Sequence, residues 1–245
     1  SPLSGDYTAD PLAYAAEQAW KAGIAVVAAA GNGNDVIGLD TPAADPYVIA
    51  TGATSMGASI GLGDNGVPSW SRLGTTTRAP DVVGPGTSIV SLRDEGSFID
   101  QNHPEGLVGK DYFKGSGTSQ AAAVVSGAVG LLLDENPSLT PDQVKAALMS
   151  NATPPSYVKK IFAGLGVPDV NKAIGAPLPT GPGVAQPGTD ATGTGSLEAA
   201  RGSAHVSNDY GLLSGEADIF GQPWNASEWA TASAARTSWS GGEWR

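Results

Sequence analysis

The chain is expected to fold as an α/β protein built on a mostly parallel sheet, and three stretches carry that expectation. A helical pattern ends at a glycine and runs straight into the continuous apolar segment IAVVAAAGN, residues 24–32. A second such segment, YVIATGAT, occupies residues 47–54. The third is GSGTSQAAAVVSGAVGLLLDEN, Gly115 to Asn136, a small-residue turn followed by an apolar run long enough for about five helical turns. Apolar runs without alternation mark strands buried on both faces of a parallel sheet, and helix, tight glycine, buried strand is half of an α/β unit.

Asp10 and Pro11 supply an N-cap and a first helical residue, and Leu12, Ala15, Ala16, Ala19 and Trp20 follow at helical spacing until Gly23. Asn32 is the first polar side chain after the first strand, at the carboxyl end where open parallel sheets hold ligands. Gly31-Asn32-Gly33-Asn34 is also strong turn chemistry, and both readings stand together. SIVSL, residues 88–92, reads as a further short strand; the Gly, Pro, Ser and Thr of residues 68–91 read as surface loops around short strands. From Arg93 to Lys114 the chain turns polar and irregular around His103-Pro104, a length that marks an insertion or a functional loop. Thr140-Pro141-Asp142-Gln143 then starts a helix to about Ser150 with Val144, Ala147 and Leu148 on its apolar face.

Ser119 falls on the first turn of the long central helix. Backbone N–H groups there lack intrahelical partners and the helix dipole is positive, so negative charge developing near Ser119 is stabilised. Gly117 lets a substrate backbone come close. An ordinary buried helix also begins with small residues and a Ser or Thr cap, and this stretch alone does not choose between the two.

A length of 245 residues allows one sizeable core and an appendage. A net charge of −11 with only 13 Lys and Arg argues against nucleic acid or an anionic membrane as partner. With no cysteine, disulfides, thiolate catalysis and zinc–cysteine sites are excluded. No run reaches the roughly 18 apolar residues of a membrane span. Three parts are expected: a folded portion over residues 1–175, a Pro/Gly/Thr-rich linker over 176–196, and a small, mostly irregular or β tail over 197–245. In the tail Trp224 and Trp229, and again Trp239 and Trp244, are five residues apart, which reads as a short tandem repeat cut off at the end. Four exposed tryptophans could stack on sugars or bind a partner; stapling a small module is the plainer role.

Taken together, AAAGN at 28–32, APDVVGPGTSIVS at 79–91 and GTSQAA at 117–122 resemble three blocks of the subtilisin-like serine peptidases, in family order. TPAADPYVIATGA at 41–53 and GLGVPDVNKAI at 164–174 are similar to two further segments of that family, so the resemblance covers residues 10 to about 175. It implies the three-layer subtilisin-like fold, here without its N-terminal half. It further implies a serine endopeptidase acting on a polypeptide substrate, with Ser119 as nucleophile and Asn32 as oxyanion donor. Gly117 and Thr118 would bind substrate, and Ala29, Ala30 and Gly31 would form one wall of its pocket. No cofactor is implied. Some members bind calcium, and Asp35, Asp40, Asp45 and Asp64 lie on expected loops; no spacing among them reproduces an ion-binding loop, so no ligand is assigned.

A serine hydroxyl needs an adjacent base. The family's Asp and His precede the Asn block, and His103 and His205 are not in the family's histidine context. The expectation is therefore a fragment, inactive as given, whose partner is the upstream half of its own peptidase domain; a degenerate non-enzyme or recruitment of His103 are the lesser alternatives. Strands expected to pair with residues 24–30 would be missing, leaving the isolated chain poorly folded. The Ala121-Ala122-Ala123 run lacks the proline usual just after the nucleophile. The tail looks like extensions of secreted actinobacterial members, which places the protein outside the cell. The rival from another class is a non-catalytic surface protein using this scaffold for binding.

Overall fold

Helix α1 (Pro11–Lys21) starts as its sequence dictates: the Asp10 carboxylate accepts from the N–H groups of Leu12 and Ala13 at 2.7 and 3.0 Å, and Pro11 takes the first helical position. Gly23, at φ 93°, lets the chain leave it. The computed structural model describes residues 6–34, 36–55, 66–155, 163–181, 185–202, 205, 207–208 and 211–238.

Strands β1 (Val27–Ala29), β2 (Ile49–Thr54) and β3 (Val82–Pro85) form a parallel sheet in the order β1-β2-β3. Every residue of β2 is buried, whereas Val27 and Ala29 are half-buried. The apolar run 24–32 thus yields a shorter and less buried strand than expected. The reason is position: among the described residues β1 is the edge of the sheet, and only β2 covers it laterally. β3 is a short strand in the stretch expected as surface loops around short strands, and its Val82 and Val83 are fully buried.

Residues 93–114, expected to be irregular, form an ordered insertion. Strand β4 (Ile89–Leu92) enters it, α2 (Phe98–Asn102) and β5 (Leu107–Val108) build it, and β6 (Tyr112–Gly115) leaves it, pairing antiparallel with both other strands. Arg93 grips Asp100 through Nε–Oδ1 at 2.6 Å and Nη2–Oδ2 at 2.8 Å, and the Gly96 N–H donates to the same carboxylate. A bidentate pair across this loop is a long-range contact that local polarity does not reveal.

Helix α3 (Thr118–Glu135) and α4 (Pro141–Ser150) cover one face of the sheet. Ile49 and Val82 cluster with Val125, Val129 and Leu132 of α3 and with Val144 and Leu148 of α4. Ala28 and Ala50, which alternation turns the other way, cluster with Ala16 of α1. Thr140 and Gln143 form the expected capping box. A two-residue pair, β7 (Ala152–Thr153) with β8 (Val167–Pro168), and α5 (Val170–Gly175) complete this part.

Residues 186–195 run along α1. The Ala191 N–H donates to Glu17 Oε1 at 2.6 Å, Lys21 pairs with Asp190 at 2.6 Å, and a side chain on Gly193 would strike the Tyr14 ring. Beyond them the tail adds helices α6 (Leu197–Arg201) and α7 (Ala226–Ala234) to a short hairpin of β9 (Ser207–Asn208) and β10 (Gly211–Leu212). Asn225 caps α7 through the Glu228 N–H, and Tyr14 donates to the Ala230 carbonyl at 3.0 Å. Trp229 packs edge-on to Tyr14 and against Trp224, so both tryptophans are half-buried; Trp239 and Trp244 lie outside the described residues.

Two buried carboxyls meet under this strap. Asp45 and Glu17 are both 0% exposed, and burial, reinforced by Glu17, pushes the Asp45 carboxyl up from 3.8 to about 7. From about pH 4 to about pH 7 the folded chain therefore holds a proton that the unfolded chain has lost, and stability falls as pH rises through that window. Urea unfolding at pH 5 and pH 8 is expected to show a larger drop for the wild type than for Asp45→Asn.

Candidate active site

Gly31 lies just past β1 at φ 107°, where a side chain would sit 2.2 Å from Asp40 Oδ2. Its carbonyl accepts from the Arg72 N–H at 3.0 Å, the next residue bridges Ser71, and the Gly33 N–H donates to Trp70 at 2.7 Å. This laddering with residues 70–72, backed by the Arg72–Asp40 pair at 3.2 Å, brings Asn32 out exposed at the carboxyl end of the strand.

Asn32 meets the start of α3. Its Oδ1 accepts from the Thr118 N–H at 3.0 Å and from Thr118 Oγ1 at 3.1 Å, and Thr118 Oγ1 accepts in turn from the Gly31 N–H at 3.2 Å. A backbone N–H can only donate, so the amide is fixed with its oxygen toward Thr118 and its Nδ2 donor turned away. Thr118 is 0% exposed, and its side chain serves Asn32. The family resemblance implies substrate binding for Thr118; its buried side chain holds Asn32 and the Gly31 N–H, a role that no spacing along the chain marks.

Gly117 is the N-cap of α3 and has no side chain to cap it. Among the described residues nothing accepts from the N–H groups of Ser119 and Gln120, and the Ser119 hydroxyl has no partner. Ser119 itself is exposed. The Gln120 side chain folds back so that a Cβ at Gly117 would lie 2.6 Å from Gln120 Oε1 and 3.6 Å from Asn32 Nδ2. An exposed hydroxyl, two free helix N–H groups and an oriented amide donor therefore share one corner. That is an arrangement able to hold an oxyanion.

Ala30 is fully buried and clusters with Leu39 and Ala43, so its methyl is unavailable to a ligand, while Ala29 is half-buried. The His103 ring is held by Glu105 at 3.1 Å on the insertion, and His205 Nδ1 lies 2.8 Å from the Leu213 carbonyl oxygen; neither touches Ser119. Of the four aspartates on the expected loops, Asp40 pairs with Arg72 and Asp45 faces Glu17, and Asp35 and Asp64 lie outside the described residues. No group of three or more His, Asp and Glu suited to a metal gathers among the described residues, and no helix there is long and apolar enough to cross a membrane.

The model of the subtilase family matches residues 2–212, and the chain belongs to that family of serine peptidases. It is 42% identical over 148 residues to serine protease AprX of Bacillus subtilis (strain 168), an alignment covering 59% of this chain and 33% of AprX. It is 34% identical over 154 residues to proprotein convertase subtilisin/kexin type 9 of Rattus norvegicus, covering 62% of this chain and 19% of the convertase. The chain thus spans a third or less of either relative. Among solved structures, fervidolysin from Fervidobacterium pennivorans, a keratinolytic enzyme related to subtilisin, superposes with a TM-score of 0.55 at 26% identity over 74% of this chain and 25% of its own. Sphericase gives a TM-score of 0.52 at 25% identity over 64% and 51%. The α/β fold with its parallel sheet is the subtilisin-like one.

Proposed function

We propose that this chain carries the nucleophile and oxyanion hole of a secreted subtilisin-like serine endopeptidase, and that the Asp and His of its triad come from an upstream half of the same peptidase domain, outside the 245 residues. The observation that carries the reading is the clamp of Thr118 on Asn32 Oδ1, which turns an amide donor outward beside an exposed Ser119. Ser119 Oγ attacks the scissile carbonyl as the histidine takes its proton. The resulting oxyanion accepts from Asn32 Nδ2 and from the Ser119 N–H. Collapse expels the amine, which takes the proton back, and water hydrolyses the acyl-enzyme. The substrate is a polypeptide whose main chain passes Gly117 and whose side chain before the scissile bond lies against a wall to which half-buried Ala29 contributes.

Two surfaces fit the missing half. The outer edge of β1 carries unpaired main-chain groups among the described residues, and α3 exposes Val124 at 42% and Leu131 at 56%, an i, i+7 apolar stripe. Co-expression with the upstream half of the AprX catalytic domain tests the proposal. The pair is expected to hydrolyse unfolded casein and this chain alone is not; hydrolysis by the chain alone, or by neither, counts against it.

A further inference from the structure

Inward-facing carbonyl groups pair with donors or bind a hard cation. Residues 43–48 turn a succession of them toward one place. Arg78 Nη2 donates to the carbonyls of Ala43 and Asp45, both at 2.9 Å, Nε donates to that of Ala44 at 3.3 Å, and Nη1 to that of Ala79 at 3.3 Å. Lys145 Nζ donates to Pro46 and Val48 at 2.8 and 2.9 Å. Asp81 stands between the two cations, its Oδ1 2.8 Å from Arg78 Nη1 and its Oδ2 3.1 Å from Lys145 Nζ, and Oδ2 also accepts from the Ala50 N–H at 2.7 Å. The side chains of Lys145 and Asp81 are 5% and 6% exposed. Burial lowers the Lys145 ammonium from 10.5 to about 8.

Neutral carbonyl oxygens around a carboxylate are the donor chemistry of calcium. Here guanidinium and ammonium donors occupy those oxygens, and a metal ion does not fit beside them. We infer that Arg78 and Lys145 are built-in cations standing in this oxygen cage in place of a metal ion, so that residues 43–50 and 78–81 are held together without calcium and emptying the cage creates a calcium site. The charges support this: two side-chain cations carry the charge of one divalent ion. Access is available, because a cavity of about 650 Å³ reaches the cage and is lined by Arg78, Asp81 and Lys145. Side-chain cations cannot dissociate, so chelators leave this lobe intact. None of this depends on the role of Ser119.

The test uses the full 245-residue chain as wild type, Arg78→Ala/Lys145→Ala and Arg78→Lys. Calorimetric titration with calcium is expected to find one more site in the double variant than in the wild type. Calcium at about 100-fold its Kd is expected to raise the Tm of the double variant by about 5–10 °C more than that of the wild type. Arg78→Lys, which keeps a cation in the cage, is expected to respond as the wild type does. A double variant that folds without calcium and gains no site overturns the inference, as does one left unfolded at millimolar calcium.

Discussion

Ser119→Ala is expected to lower kcat of the assembled peptidase by about 10⁶-fold while leaving KM nearly unchanged; the magnitude is that of subtilisin, a member of the same family. The substitution removes one oxygen from an exposed residue whose hydroxyl has no partner among the described residues. It leaves the helix N–H groups and the Asn32 amide in place. Binding of the ground state and folding are therefore preserved, and the loss falls on the step in which Oγ attacks. Steady-state hydrolysis by the co-expressed pair, with thermal melts of each protein alongside, separates that result from misfolding. A loss below about tenfold would mean that the Ser119 hydroxyl is not the nucleophile.

Asn32→Leu is expected to cost about 10²–10³ in kcat, again subtilisin's own figure for an oxyanion donor. It also strips the acceptor from the buried Thr118 N–H and Oγ1, a stability loss of about 1–3 kcal/mol that confuses the interpretation. Asn32→Asp removes the confusion. Its carboxylate still accepts from Thr118, but a negative oxygen replaces the outward amide donor. This variant is expected to melt near the wild type and yet lose at least as much kcat as Asn32→Leu. Equal activity of Asn32→Asp and wild type would place the oxyanion elsewhere.

Much of the fold was legible because local rules agreed with the tertiary structure. The Asp10-Pro11 start of α1, the Thr140–Gln143 capping box and the buried strand at 49–54 rest on short-range hydrogen bonds or on one run of apolar and small residues. What escaped is held by contacts between distant residues. The insertion at 93–114 looks polar, but its order comes from Arg93 closing on Asp100 and from β6 pairing with two partners. Residues 176–196 have a linker's composition, yet residues 186–195 are fastened to α1 by Glu17, Lys21 and Tyr14, more than 150 positions earlier in the chain. Helix α7 starts at Asn225, whose side chain accepts from the Glu228 N–H, and is held to α1 by Tyr14 donating to the Ala230 carbonyl more than 200 positions away.

The candidate site divides the same way. Ser119 and Asn32 stand out by motif, and the structure brings both to one corner. Thr118 as the residue that orients Asn32 and Arg78 as the hub of the carbonyl cage are roles of geometry. They depend on where residues 31, 43–48 and 81 arrive in space, and no spacing along the chain encodes that.

The most direct test is covalent. A fluorophosphonate reacts only with a serine whose base and oxyanion hole are both assembled, so the co-expressed pair should carry one adduct, mapped by peptide mass spectrometry to Ser119 and absent from Ser119→Ala. An adduct that persists in Ser119→Ala, or that maps to another serine of this chain, would contradict the assignment.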